Sequence, residues 1–564
     1  MANSLREHFT ISRELEYFTE AELTKQIGCS KDKWAITLVK EMVDNALDAC
    51  ESIGVEPHIK IVIDSDSISV QDNGPGIPEN VITGSLIYSS TISDKRGYVS
   101  PSRGQQGNAL KCLYAVPYVA NGEQAQIEIQ AHKTRYFYRI SANKISQSID
   151  IIPDVQKGDF VENGSFFKIH NFDLACLNSQ FSQKNRISTK QEFISLIWKF
   201  SLCNPHTKFE LIFDGDVITY PATSPQQKWT LKDALVSHWY SQEQFCDLIS
   251  HNINIKPDMS VNEFVKMFNG LKTSAKQKEV SDKAGLNSRD GLKQFVIDNN
   301  GKQDIDKDKA LNLLMAMNQL SVPVKPEKLG LLNKDHLKKM LNGDDEYSRV
   351  YEHKQSKSKP DYKGLPYTID VVFQGLDDDS EERYSNYILC VNHTVLIDGR
   401  AYLRFGNSLY SITEGTHISY NNPVRLLVHI TCPYIDFKDK GKNDIYLNES
   451  LFSDVKEKVA LACKAWTKLQ KNKTREQRAS WKQEEREVKE QEREAKRQYI
   501  YQTKAIKLIA EDAYTKAAGD INIAAFRQVY YAARPKMLQL TGKTELDDNY
   551  FRKLLRKFMK DNPD

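Results

Sequence analysis

The sequence predicts a multidomain α/β protein, and three observations carry that expectation. The chain has 564 residues, more than one ordinary hydrophobic core organises. Strand and helix patterns alternate over roughly the first 215 residues, give way to helical spacing from about 225 to 345, and resume to about 471. A run of charges of both signs over 472–498 then leads to a short helical end. The domains expected are 1–220, 225–345 and 346–471, followed by a linker over 472–498 and a last unit over 499–564.

Composition is that of a globular protein, with 40% hydrophobic and 27% charged residues. No uninterrupted apolar run of about 18 residues occurs, and the start, MANSLREHFTISRELEYF, lacks a signal-peptide core. An intracellular, cytoplasmic protein is expected, with no membrane partner. Nine scattered cysteines without a CxxC pair suit a reducing compartment and give no sign of a zinc or redox centre. Net charge is +3, yet residues 471–564 hold 22 Lys/Arg against 15 Asp/Glu, so the basic excess sits at one end. Charge alone leaves two readings of that end open, a face for nucleic acid and a solvated helical arm.

In chain order, HIKIVID (58–64) and SISVQD (67–72) alternate about a polar turn and read as a hairpin, and GSFFKIHNF (164–172) reads as another strand. LKDALVSHWY and NEFVKMFNGL carry helical spacing, which makes 225–345 a helical insert. Strands return at YTIDVVFQGL (367–376), NYILCVNHTVLI (386–397) and NPVRLLVHITCPYI (422–435), with a helix from about 452 to 471. Residues 472–498 have almost no apolar positions and predict an exposed helix or linker. IAAFRQVYYAARPKMLQL centres a last helical unit.

Three motifs carry chemistry. At about 100° per residue, WAITLVKEMVDNALDACE (34–51) puts Glu41, Asn45 and Asp48 on one helix face and Ile36, Val39, Val43, Ala46 and Cys50 on the other. A carboxylate can deprotonate a water, and an amide oxygen one turn on can hold Mg²⁺. A plain polar surface helix is the competing reading. SISVQDNGPGIP (67–78) then ends a strand at Asp72, an acceptor suited to an exocyclic amine, beside Gly74 and Gly76, which permit close backbone approach. A simple turn competes here. Finally, SSTISDKRGYVSPSRGQQGNALKCLYAV (89–116) runs through Gly104 and Gly107 into an apolar helix, a phosphate cradle to which Arg103 and Lys111 add positive charge. A surface loop is the alternative.

KEMVDNALDAC, QDNGPGIP and SRGQQGNALK, in this order, resemble the GHKL ATPases, the family of gyrase-type topoisomerases, mismatch-repair ATPases, Hsp90 chaperones and histidine kinases. The resemblance implies a Bergerat-type α/β sandwich that binds ATP with Mg²⁺. It makes Glu41 the general base, Asn45 the Mg²⁺ ligand and Asp72 the adenine reader, with Asp48, Gly74 and Gly76 beside them. Gly104, Gln105, Gln106, Gly107 and Asn108 become the phosphate-wrapping lid, although Ala109 stands where the family often has a further Gly. Gly164 and Ser165 match the Gly-Thr pair that supports the adenine-binding Asp.

The helical insert followed by a second α/β domain is similar to the B subunit of topoisomerase VI, a type IIB DNA topoisomerase with an H2TH insert and a transducer domain. SRGQQG, NPHTKFEL (204–211) and SAKQKEVSDKAGL (274–286) support that likeness. It implies a transducer lysine that reaches the ATP γ-phosphate. Alignment on Phe437 in HITCPYIDFKDKGKNDIYL makes this Lys442, with Lys438 and Lys440 as competitors. The segment before Trp34, with Phe9, Tyr17 and Phe18, is either a dimer strap or an ordinary first helix. FRQVYYAARP (526–535) resembles the winged-helix part of the A subunit, which makes Tyr531 a candidate DNA nucleophile helped by Arg527. The partners implied are double-stranded DNA, a Toprim-containing A-subunit-like protein and, on ATP binding, a second copy of the chain. A nicking or defensive device without strand passage, and an ATP-dependent clamp or chaperone-like scaffold without cleavage, stay open as alternatives.

Overall fold

The computed structural model describes residues 14–88, 97–103, 109–122, 124–143, 148–172, 189–225, 228–230, 233–287, 289–299, 302–341, 348–358, 365–376, 386–405, 408–418, 422–438, 443–521 and 523–563. Every second residue of β1 (His58–Asp64) is an isoleucine, and Ile59, Ile61 and Ile63 are all fully buried. β1 pairs antiparallel with β2 (Ser67–Gln71) across the expected polar turn. These two lie near the middle of an eight-stranded sheet in the order β5-β4-β3-β6-β2-β1-β7-β8. The other strands are β3 (Ala125–Ala131), β4 (Thr134–Asn143), β5 (Ser148–Lys157), β6 (Phe166–His170), β7 (Lys208–Phe213) and β8 (Asp216–Tyr220). Only β1 and β7 run parallel; the other neighbours are antiparallel.

Helices α1 (Glu20–Ile27), α2 (Trp34–Ile53), α3 (Glu79–Ser85), α4 (Ala109–Asn121) and α5 (Thr189–Cys203) close the sandwich. Trp34, Val39, Val43 and Leu47 of α2 share one core with Tyr114 of α4, Phe200 of α5 and the strand isoleucines. α2 stops where Gly54 turns left-handed at φ 70°, a conformation that costs glycine little.

The insert has its own core, in which Phe245, Phe264, Phe268 and Leu313 join the helices Gln242–Ile255, Val261–Lys266 and Lys307–Leu320. A hairpin of Val296–Asn299 and Lys302–Ile305 interrupts it, which corrects the purely helical reading of 225–345. Val99 belongs to this core too, and its backbone N–H donates to the Tyr240 hydroxyl at 3.0 Å, so the approach to the lid is seated on the insert.

The second α/β body has a five-stranded sheet in which Thr368–Leu376 lies between Ser348–Lys357 and Val424–Thr431, followed by Asn386–Val391 and Thr394–Val395. The helix Glu449–Ala462 packs its Leu451, Val455 and Val459 on this core. Cys203, at the end of α5, and Cys390 form a disulfide across 187 residues, a pairing that the scattered cysteines and the reducing compartment expected of them do not suggest.

Residues 468–564 form a separate unit. Its helices Gln502–Ala518, Phe526–Thr541 and Asp548–Asp561 enclose Ile506, Ile509, Val529, Met537, Phe551 and Leu555. Among its described residues there is no strand, and so no wing of the winged-helix kind. No described helix is long and apolar enough to cross a membrane.

Candidate functional site

Along α2 burial follows the helical period. Val39, Val43, Ala46 and Cys50 are buried and Ile36, expected beside them, is only partly so, while Glu41 and Asp48 are partly open and Asn45 is exposed. The Glu41 carboxylate is about one-third exposed, and its Oε1 lies 3.0 Å from the ammonium of buried Lys40. Lys40 also holds Asp44 Oδ2 at 3.1 Å. Burial opposes the Lys40 charge, but Glu41 and Asp44 outweigh it and raise its pKa, so Lys40 stays charged at neutral pH, while burial raises the pKa of Asp44 in turn.

Asp72 ends the strand beside α2. A Cβ on Gly74 would come within 3.2 Å of the Cys50 backbone nitrogen, so only a glycine lets this loop lie against the helix. Asp72 Oδ1 accepts the backbone N–H groups of Gly74 at 2.8 Å and of Ser165 at 3.2 Å. The backbone of the two segments is also joined, by Asp72 N–H to the Ser165 carbonyl at 2.9 Å. Gly164 has φ +87°, and a Cβ there would collide with the Asp72 carbonyl. The hydroxyl of Ser165 is buried beside the Asp72 carboxylate. Gly76 lies under the His132 ring.

Burial pushes the Asp72 carboxyl up to about 6 from its ordinary 3.8, against the pull of those two backbone donors. A raised folded-state value means that the free protein gains stability as pH falls below about 6 and loses it as pH rises through that value. Accepting an amine needs the ionised form, which is the one depleted in acid. ATP-analogue affinity is therefore expected to weaken by about tenfold between about pH 7 and about pH 5. Nucleotide phosphates titrate nearby, so the result lies in the difference from Asp72→Asn, measured by calorimetry. Parallel pH curves for the two proteins would remove Asp72 from adenine binding.

Two expected phosphate contacts are placed elsewhere. The Arg103 side chain is 1% exposed, and its Nη1 meets Asp48 Oδ1 at 3.1 Å and Glu51 Oε2 at 2.8 Å while Nη2 meets Glu51 Oε1 at 3.0 Å. The guanidinium is thus paired with carboxylates, that of Asp48 among them. Burial would raise the Glu51 pKa, but Arg103 and Lys228 hold it well below the usual range. Lys111 is buried, donates to the Tyr88 carbonyl at 3.1 Å and stands over the Tyr17 and Tyr88 rings. Phe18, a candidate strap residue, is buried against Tyr88 and Tyr118 of its own sandwich. Phe9, Gly104, Gln105, Gln106, Gly107, Asn108, Lys440 and Lys442 lie outside the described residues.

Across from α2, the second α/β body supplies several contacts. Thr394 donates its hydroxyl to Asp44, Lys33 pairs with Asp398, and the Asn443 amide donates to the Gly28 carbonyl at 3.1 Å. Lys40, Asp44, Glu51, Asn204 and His393 were not singled out from the sequence. For the acids, the i, i+4, i+7 series of Asp44, Asp48 and Glu51 was the one available signal.

In the C-terminal unit, Tyr530 donates its hydroxyl to the Leu546 carbonyl and packs on Phe551 at 5.4 Å, whereas Tyr531 is 65% exposed. Arg527, one turn earlier, is exposed as well.

No family model matches the chain. It is similar to the B subunit of the type 2 DNA topoisomerase 6 of Thermococcus kodakarensis, at 27% identity over 232 residues, 40% of this chain and 39% of that one. The corresponding protein of Archaeoglobus fulgidus is 30% identical over 193 residues, 32% and 29% of the two chains, and that of Pyrococcus abyssi 24% over 307 residues, 50% and 52%. The chain thus spans about two fifths of the first of these relatives. Among solved structures, the ATPase region of Saccharomyces cerevisiae topoisomerase II is 9% identical with a TM-score of 0.36, covering 78% of this chain and 86% of that one. The ADP-bound Aquifex aeolicus MutL ATPase domain is 9% identical with a TM-score of 0.28, covering 75% and 96%.

Proposed function

We propose that the chain is a GHKL-type ATPase that closes as a dimer on ATP and thereby controls DNA cleavage or strand passage, as the B-like subunit of a type IIB topoisomerase-like complex. The observation that carries this reading is the buried, backbone-caged Asp72, whose glycine loop packs on Ala49 and Cys50 of α2, the helix that leaves Glu41 and Asn45 open. Similarity to the B subunits of topoisomerase 6 supports it. ATP fits the residues present: Asp72 offers an acceptor held by the backbone N–H groups of Gly74 and Ser165, with glycines at 74 and 164 keeping the space beside it free of a Cβ. No group of three metal-binding side chains occurs among the described residues, so Mg²⁺ would be held by the Asn45 amide oxygen and the nucleotide's own phosphates. When bound, the ion supplies neutralisation of phosphate charge. Glu41 takes the proton of the attacking water while Lys40 orients its carboxylate.

DNA and a Toprim-containing partner belong to this proposal. Its test is relaxation of supercoiled DNA by chain plus partner with ATP. Cleavage without relaxation would move the reading to a nicking device, and analogue-driven closure without cleavage to a clamp. Within the same proposal Lys442 senses the γ-phosphate. Asn443 on Gly28 brings the flank of its loop to the start of the ATPase body, and Lys438 is already paired with Asp444 at 3.2 Å. Lys442→Ala is expected to reduce hydrolysis and abolish closure seen by sedimentation, and Lys438→Ala to do much less. Equal effects would make the loop merely basic.

A further inference from the structure

The guanidinium of Arg103 is the junction of four separate parts of the chain. Its fork on Glu51 ties it to α2, the helix of Glu41. Lys228, at the entry to the insert, reaches the same Glu51 Oε1 at 2.7 Å, and His206 meets it at 2.9 Å. Asn204, just past α5, accepts from Arg103 Nη2 and donates to the His393 carbonyl at 2.9 Å. Arg103 Nε is itself 3.5 Å from that carbonyl.

His393 belongs to a tight turn between Asn386–Val391 and Thr394–Val395, where Asn392 and His393 both have positive φ, 50° and 66°. This turn is set into the ATPase body. The His393 Nδ1–H donates to the Cys203 carbonyl at 2.8 Å, and Thr394 beside it donates to Asp44. A bidentate guanidinium–carboxylate pair fixes direction as well as distance, so movement at one end of the junction is transmitted rather than absorbed. Arg103 also immediately precedes Gly104, the first residue of the lid sequence.

We propose that Arg103 is a positioning residue that, through Asn204, couples the base of the lid and α2 to the Asn392–His393 turn of the second α/β body. Nucleotide capture and movement of that body are then one event. The inference rests on the ATPase reading above. It reassigns Arg103 from phosphate contact to transmission.

The test uses the full chain and Asn204→Leu, which removes the amide's bonds to Arg103, the His393 carbonyl and the Phe200 carbonyl while the Arg103–Glu51 pair stays intact. Binding of a non-hydrolysable ATP analogue, kcat for hydrolysis, analogue-driven dimer closure and Tm are measured together. The expected result is analogue affinity within about threefold of wild type, kcat lower by about tenfold, and closure lost at saturating analogue, the size of a typical coupling between sites. Arg103→Lys, which keeps the charge but not the fork, should show the same split between binding and turnover. Wild-type kcat and closure in both variants would overturn the coupling, as would losses of binding and kcat in proportion to a fall in Tm. A wild-type chain that neither hydrolyses ATP nor closes would instead remove the ATPase reading, and the coupling with it.

Discussion

Glu41→Gln is expected to slow ATP hydrolysis by ~10²–10⁴-fold, the range for loss of a general base, while leaving binding of an ATP analogue nearly intact. The geometry makes glutamine the informative replacement. Lys40 holds Glu41 at 3.0 Å and Asp44 at 3.1 Å, and an amide oxygen still accepts from Lys40 although it cannot take a proton from water. The Glu41 side chain is partly exposed on a helix whose stability comes from Trp34, Val39, Val43 and Leu47 on the other side, so the fold should be unaffected. Asn45→Ala should give the contrasting result, weaker Mg²⁺–ATP binding. Steady-state hydrolysis with matched analogue titrations separates the two. Normal turnover in Glu41→Gln would place the base elsewhere.

The parts of this site that the sequence discloses are those decided by local periodicity. The open face of α2 follows from 3.6-residue spacing, and the β1–β2 hairpin from alternation about a polar turn. The Asp72 loop is legible from its glycines, which permit close backbone approach, although Gly74 makes that approach to Ala49 and Cys50 of α2. Arg103 and Lys111 show where such reading ends. Beside a Gly-rich stretch, a cation suggests phosphate. Its direction is decided by Glu51, 52 residues away, and Asn204, 101 residues away, and these partners leave no local trace. Strand β5 escaped notice because it is an edge strand with Pro153 in it, half open to solvent and without clean alternation. The insert hairpin has four-residue strands, too short to raise a period-2 signal above helical neighbours. The Cys203–Cys390 pair likewise depends on two distant segments meeting.

With partner, Mg²⁺ and end-labelled DNA, the chain is expected to form an adduct that survives denaturation, and Tyr531→Phe is expected to abolish it. FRQVYY presents two tyrosines, and their surroundings separate them. Tyr530 is occupied, with its hydroxyl on the Leu546 carbonyl and its ring against Phe551. Tyr531 is 65% exposed, with Arg527 exposed one turn before it on the same helix. The Tyr531 ring meets Tyr530 edge-on at 5.4 Å, which leaves most of the side chain open, and an arginine at that spacing can hold a phosphate oxygen. The step is a transesterification: the phenol loses its proton, its oxygen bonds to phosphorus, and the phosphorus–O3′ bond breaks. The leaving oxygen takes a proton, so the 5′ phosphate stays on the protein and energy for resealing is retained. At an ordinary phenol pKa of about 10 the nucleophile is weak, so the partner must supply charge stabilisation at the phosphate, and no adduct should form without it. Tyr530→Phe is the control, expected to lose some stability but to keep the adduct. An adduct that persists in Tyr531→Phe would move the chemistry to Tyr530 or the partner, and none in wild type would favour the clamp.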